Sequence, residues 1–215
     1  MSTNAEPSTN SRIDLTMMYA THNAFRRDLT LLVSASDGTQ NWAAYKAGWQ
    51  TFKNYLTIHH TAEDVALWPI MRKKLANRPD DLRLLEEMEA EHAELDPMMD
   101  AVDTAIAESN RLRLREYTED LSTTLLGHLD HEEAEALPLL QSVLTPEEWA
   151  SFGAEQRRNV GIKGGPAFFP WLLDGAPEAT QRRVLGLLPA PLRLIYRAVW
   201  RPRYVRQSPW KLARA

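Results

Sequence analysis

A buried helical seam that changes chemistry midway constrains this chain more than any other feature. Trp42, Tyr45, Trp49, Phe52 and Leu56 step along at +3 and +4, the spacing of one apolar helix face. The next two positions of that face are His59 and Glu63, in the stretch YLTIHHTAEDVALWP. An imidazole and a carboxylate therefore stand where core residues belong. The pattern then recurs: in HLDHEEAEALP, His128, Glu132, Glu133 and Pro138 match His59, Glu63, Asp64 and Pro69 at an offset of 69. His22 matches His92, and Met18 matches Met88, at an offset of 70. Two versions of one helical hairpin, folded on each other, generate a pseudo-two-fold axis with two H…H-x-x-x-E sets facing across it.

Four long stretches carry helical periodicity. The first holds Leu15, Met18, His22, Phe25, Leu29 and Leu32, entered through Ser11 and ended near Asp37-Gly38. The second runs from about Asn41 to Lys74. The third follows the breaker Asn77-Arg78-Pro79-Asp80, holds Leu85, Met88, His92, Leu95, Met99, Val102 and Ile106, and ends near Ser109-Asn110. The fourth holds Leu114, Tyr117, Leu121, Leu125, His128, Glu132 and Leu139. No strand-type alternation of useful length occurs. The fold class is all-α, and short linkers between long helices predict an up-down-up-down four-helix bundle over residues 12–141. Residues 1–11 read as a disordered polar tail and residues 142–215 as a C-terminal helical extension docked on the bundle.

Composition narrows the function classes. Apolar content of 44% and charged content of 25% are those of a globular protein with a real core. No apolar run approaches the roughly 18 residues that span a bilayer, the start MSTNAEPSTNS has no apolar signal region, and a cytoplasmic location is expected. The absence of cysteine excludes disulfides, thiolate metal sites and iron–sulfur clusters. Neither a helix-turn-helix nor a Gly-rich phosphate loop is present, so no nucleic-acid partner is expected. Residues 1–149 carry 13 Lys/Arg against 26 Asp/Glu, whereas residues 150–215 carry 12 against 3. Halves of opposite charge are expected to dock on each other. In the extension, Thr145-Pro-Glu-Glu148 opens a helix to about Arg158. Beyond the link VGIKGGPAFFPW, basic segments are broken by Pro177, Pro189, Pro191, Pro202 and Pro209. Leu188, Leu192, Ile195 and Val199 form a stripe flanked by Arg193, Arg197 and Arg201. That stripe is expected to lie across the acidic bundle rather than on a membrane.

All six residues of the repeated set occupy seam positions, and i and i+4 side chains of a helix point to the same side. His59 with Glu63, and His128 with Glu132, thus point inward together, while His22 and His92 enter from the other helices. Four buried imidazoles and two buried carboxylates without partners would cost several kcal/mol per charge, out of a net stability of roughly 5–15 kcal/mol. A metal compensates directly. Nitrogen and oxygen donors without sulfur suit iron or manganese, and zinc less comfortably. Two ions bridged by Glu63 and Glu132, each with two histidines, satisfy the count and keep open positions where dioxygen or peroxide binds.

These residues resemble the hemerythrin-like, or HHE cation-binding, domain, in the order H…H-x-x-x-E…H…H-x-x-x-E over about residues 12–141. The resemblance implies a four-helix bundle around a non-heme di-iron centre, with iron ahead of manganese, that binds dioxygen or reacts with peroxide for sensing, storage or detoxification. It implies His22, His59, Glu63, His92, His128 and Glu132 as ligands. Alternatives are a di-iron oxidase or oxygenase acting on a small molecule, and a non-redox metal-handling module. In the oxygen-carrying hemerythrins the third helix supplies H-x-x-x-H, but here its earlier position is Met88. This departure weakens a pure carrier reading and leaves a seventh ligand open, with Glu89 and His60 as candidates. Asp64, Glu133 and His131 are placed to orient imidazoles, and Tyr19 to line the pocket. Pro69 and Pro138 are expected to kink the helices beyond the carboxylates. Phe168, Phe169, Trp171 and Trp200 are candidates for a lid over one end, and the extension looks like those of some actinobacterial members. The oligomeric state is not legible.

Overall fold

The computed structural model describes residues 13–36, 41–161, 164–208 and 210. The tail expected at 1–11, the Ser11 cap and the Asp37-Gly38 stop lie outside the described residues. Among the described residues every regular element is helical, and no helix is long and apolar enough to cross a membrane. α1 is Thr16–Ser36. α2 (Trp42–Ala66) starts where the Asn41 side chain accepts from the Ala44 amide at 3.0 Å. After α3 (Trp68–Lys74), α4 (Pro79–Ala107) opens on Pro79, where a missing N–H breaks no helical bond. The breaker read at residues 77–80 therefore contains the first residues of the helix it precedes. α5 (Arg111–His131) starts with the Asn110 side chain accepting from the Arg113 amide at 3.2 Å.

The two prolines beyond the carboxylates are accommodated differently. α2 ends at Ala66, the Leu67 amide still donates to the Glu63 carbonyl at 2.9 Å, and α3 restarts with Pro69 in its first turn. After α5, Glu132–Ala136 form one wide π turn, with the Leu137 amide donating to the Glu132 carbonyl, before α6 (Leu137–Val143). The extra residue of a π turn absorbs the bond that Pro138 cannot make. One hairpin therefore breaks where the other widens.

α1 touches α2 and α5, and α4 touches α2 and α5, closing a ring of four long helices. The core inside the ring is divided. One apolar cluster holds Phe25, Leu56, Leu95 and Leu125; the other holds Met18, Leu67, Met88 and Ala136. α1 and α4 run from the second cluster to the first, while α2 and α5 run from the first to the second. The histidines and glutamates of the repeated set lie where each of the four chain segments passes from one cluster to the other.

The extension comprises α7 (Pro146–Val160), α8 (Gly165–Leu172), α9 (Glu178–Gly186), α10 (Ala190–Ile195), a second π turn at Tyr196–Trp200 and α11 (Arg201–Gln207). Thr145 and Glu148 close a reciprocal cap at the start of α7, with bonds of 3.3 and 2.8 Å. α7 lies along α2, and α8 and α9 lie along α1. Trp171 anchors the attachment: its indole donates to Asp28 at 2.7 Å, and Arg27 donates to the carbonyls of Trp171 and Asp174, each at 2.7 Å. Burial pushes the Asp28 carboxyl up despite the Arg27 charge beside it. Trp210 lies so close over Gly48 that a Cβ there would collide with its ring.

The docking differs from the charge-driven one expected from composition. Among the described residues, no arginine between Arg182 and Arg206 pairs with a carboxylate of the bundle. Aromatic side chains make the attachment, and Ile195 and Val199 of the expected inward stripe are exposed. The inward row is instead Leu192, Tyr196, Trp200 and Tyr204, all buried or half-buried.

Candidate metal centre

Seven side chains converge between the two core clusters. One donor atom each of His22, His59, Glu63 and Glu132 lies within 4.8 Å of the others, and the same holds for His60, His92 and His128. All seven residues are buried, the most exposed being His60 at 7%. The imidazoles meet through their Nε2 atoms, His22 to His59 at 3.0 Å and His92 to His128 at 3.2 Å. Glu132 reaches His22 Nε2 at 3.2 Å, while Glu63 reaches His59 Nε2 at 3.2 Å and His92 Nε2 at 3.7 Å. Glu63 therefore touches both groups. His60 stacks on His92, ring centroids 4.0 Å apart and planes 10° off parallel.

The outer ring nitrogens decide what the inner ones can do. Glu133 lies 2.8 Å from His22 Nδ1, Asp64 2.9 Å from His92 Nδ1, and Glu91 2.7 Å from His128 Nδ1. An ionised carboxylate only accepts, so each neutral imidazole must carry its proton on Nδ1 and present a bare Nε2 lone pair inward. The Gln156 amide lies 3.0 Å from His59 Nδ1. An amide can donate through its NH2 or, turned over, accept through its carbonyl, so His59 alone of the four is free to take either tautomer. Arg26 holds Glu133 at 2.6 Å, and His131 shares Glu91 at 2.8 Å.

The centre is consequently rich in acceptors and poor in donors. Among the described residues seven buried side-chain polar atoms have no hydrogen-bond partner, and five are His60 Nε2 and the four carboxylate oxygens of Glu63 and Glu132. Unsatisfied buried groups of this kind are rare in native proteins, and their concentration at one point marks a place for positive charge. Without a cation, protons take part of that role. Burial opposes charge on His22, but Glu132 and Glu133 overcome it and raise the imidazole to about 8. Burial likewise opposes charge on Glu132, yet His22, His59 and His128 hold it down to about 2. Burial and the like charge of Glu132 push Glu63 well up, and burial drives His59 and His60 well down.

The sequence profile of the hemerythrin HHE cation binding domain matches residues 14–140, more than half of the chain. The chain belongs to the hemerythrin HHE cation-binding family. No curated protein and no solved structure matches it. The hemerythrin domain binds metal ions, and the two convergent groups are this chain's candidate sites.

Within this hemerythrin domain, the six residues of the repeated set all reach the centre. Of the two candidates for a seventh donor, His60 lies with His92 and His128, whereas Glu89 turns to the surface and pairs with Arg72. Tyr19 does not line the centre: it is 41% exposed beside a surface cavity. Trp171 packs on Phe25 and Tyr55, Phe25 in turn lies 5.5 Å from the His59 ring, and Phe169 stacks on Trp200. Two partners escaped sequence reasoning. Glu91, directly before His92, reaches across to His128 on another helix; its place beside a seam histidine was the available signal. Gln156 comes from α7, outside the matched domain, and carried none.

Proposed function

We propose that this chain binds two iron ions, one in each half of the centre, and uses them to bind or turn over dioxygen or peroxide. His22 and His59 would hold one ion and His60, His92 and His128 the other, with Glu63, which reaches both groups, and Glu132, which reaches His22, supplying the carboxylates. The observation that carries this reading is the outward pinning of three imidazole protons by Glu133, Asp64 and Glu91. It leaves Nε2 lone pairs facing carboxylates that have no donor. Five imidazoles and two carboxylates without sulfur suit iron, with manganese second. Such a pair of ions supplies redox chemistry toward dioxygen or peroxide when bound. Around it the chain's own residues fix the imidazole tautomers, exclude bulk water by burial, and leave one half an imidazole short, so that half has room for a small molecule. The seven side chains are at most 7% exposed, which favours a diatomic or peroxide ligand over an organic substrate.

The same reading takes the metal-binding unit as residues 12–141, an up-down-up-down bundle with an internal two-fold repeat, working in the cytoplasm in sensing, storage or detoxification. The alternating direction of the four long helices between the two apolar clusters supports the bundle order.

Anaerobic loading with Fe(II), metal analysis, and optical spectra on adding dioxygen and then peroxide test the proposal. The expected result is two irons per chain and a new absorption band with either oxidant. Disproportionation of peroxide without a co-substrate would assign detoxification. Oxygen consumption only in the presence of an organic substrate would assign an oxidase instead. Equal uptake of zinc with no response to oxidants would sink the redox reading and leave a metal-handling module.

A further inference from the structure

The C-terminal helices turn an unpartnered face to solvent. From Ala190 to Gln207, α10, the π turn and α11 form one continuous rod. Its inward row, Leu192, Tyr196, Trp200 and Tyr204, has a residue every fourth position. In an unbroken α-helix such a row drifts about 40° per step; the wide turn at Tyr196–Trp200 offsets that drift and keeps the row on the protein. The same register fixes the opposite side. Leu194, Ala198 and Pro202 lie outermost, Ile195 and Val199 flank them on one shoulder, and Arg193, Arg197 and Arg201 on the other.

Leu194 is 67% and Val199 53% exposed. Among the described residues, the large hydrophobic side chains left exposed are Tyr19, Val65 and Leu112, scattered singly, and a cluster of five between Leu187 and Val205. A concentration of this kind marks an interaction surface. No carboxylate among the described residues pairs with Arg193, Arg197, Arg201 or Arg206. Arg193, Arg197 and Arg201, with Arg182, Glu178 and Tyr196, wall a groove of about 460 Å³ beside the apolar crest, and its one carboxylate, Glu178, is paired with Arg182.

We propose that this face binds an anionic phospholipid surface, with Arg193, Arg197 and Arg201 on the headgroup phosphates and Leu194, Ile195 and Val199 in the headgroup–acyl boundary. Aliphatic residues flanked by arginines are the composition of a helix that lies in a membrane interface. A nucleic acid would take the arginines but leave the crest against a polar backbone. Among the described residues, the acidic bundle of a second copy offers only isolated exposed apolar residues, and the same face of a second copy would set arginine rows against each other. The inference does not depend on the identity of the metal, and it departs from the bundle-covering role expected for this stripe.

Flotation of the full chain with vesicles tests it. Vesicles of equal parts phosphatidylcholine and phosphatidylglycerol are expected to carry the protein at least tenfold better than phosphatidylcholine alone, and less well as salt is raised. Arg197→Glu with Arg201→Glu should lower that binding at least tenfold. Leu194→Ser with Val199→Ser should lower it several-fold, and both pairs should leave the melting temperature unchanged because the residues are exposed. Equal binding to both vesicle types, no binding to either, or undiminished binding by the arginine pair would overturn the proposal. So would duplex DNA binding as tight as vesicle binding, or a dimer that the arginine pair dissolves.

Discussion

The two halves of the candidate metal centre carry the same recurring sequence pattern and end up unequal. What they share follows the offset: His22 and His92, His59 and His128, Glu63 and Glu132, and Asp64 and Glu133 as outer partners of the first histidine pair. What they do not share comes from single residues. The position matching His60 is Leu129, a fully buried core residue, so only one half gains a third imidazole. The position matching Glu91 is Thr21, whose hydroxyl donates to its own helix at Met17. His59 is thereby left to the neutral Gln156 while His128 has a carboxylate. The recurring pattern places matching side chains in both halves; His60, Glu91 and Gln156 make one half richer in histidine and leave the other with an imidazole of open tautomer.

The strongest way to break this comparison is to remove Glu63, the carboxylate that reaches both groups. On the proposed di-iron reading, Glu63→Ala should cost the protein both ions: metal analysis is expected to fall from two irons per chain to fewer than one. Retention of one tightly held ion would mean that the carboxylate serves a single half. His60→Leu, which copies Leu129 into the other hairpin, should weaken only the three-histidine half, by about 10–100-fold in metal affinity. A chelator titration resolving two steps checks it, with the tighter step shifting onto the weaker one. Unchanged steps would remove His60 from the ligand set and restore equality between the halves.

The inequality also marks where sequence reasoning stopped. The convergence of the six repeated residues was legible because helical periodicity reports which residues share a face, and an unexpected polar residue on a buried face needs a reason. The choice between His60 and Glu89 was not legible, since each is one residue off the seam. About 100° of helix rotation separates neighbours, and only the seating of α2 and α4 in the ring decides which of them turns inward. α2 seats both His59 and His60 at the centre; on α4, Met88 takes the buried position and Glu89 turns to Arg72. Pro69 and Pro138 announced two disturbances, but the difference between a break and a π turn depends on neighbours rather than on proline. Charge asymmetry misled most. It suggested that arginines hold the extension down, whereas Trp171 on Asp28 and Trp210 over Gly48 do so.

Proton competition should separate the halves by pH. In the metal-free protein His22 titrates at about 8, raised by Glu132 and Glu133 against the opposing effect of burial. A metal binds the neutral imidazole, so below pH 8 it must displace this proton, and affinity is expected to fall about tenfold per pH unit as pH decreases. His60, driven well below its ordinary value by burial and by the neighbouring histidines, carries no proton to displace near neutrality. The histidine-poor half should therefore lose its ion first on acidification from pH 8 to 6, seen as the weaker chelator step moving while the tighter one moves less. Parallel movement of both steps would show that the shared Glu63, not His22, sets the proton dependence.

The smallest expected effect tests the adaptable side directly. Gln156→Glu gives His59 what His128 already has, an ionised acceptor on Nδ1. The carboxylate would fix the Nδ1–H tautomer and raise the basicity of Nε2, tightening the histidine-poor half several-fold, up to about tenfold. Gln156→Leu removes the partner and should weaken the same step by a similar factor while leaving the other step in place. Nitrogen NMR of labelled histidine gives an independent readout: His59 should move to a single tautomer in the Glu variant even without metal. Gln156 is half-buried on α7, and the Phe25 and Phe152 rings flank His59 at 5.5 and 6.0 Å, so a charge placed there is only partly screened by water. If neither variant moves the weaker step and the tautomer stays mixed in both, α7 merely lies against the bundle. The asymmetry would then rest on His60 alone.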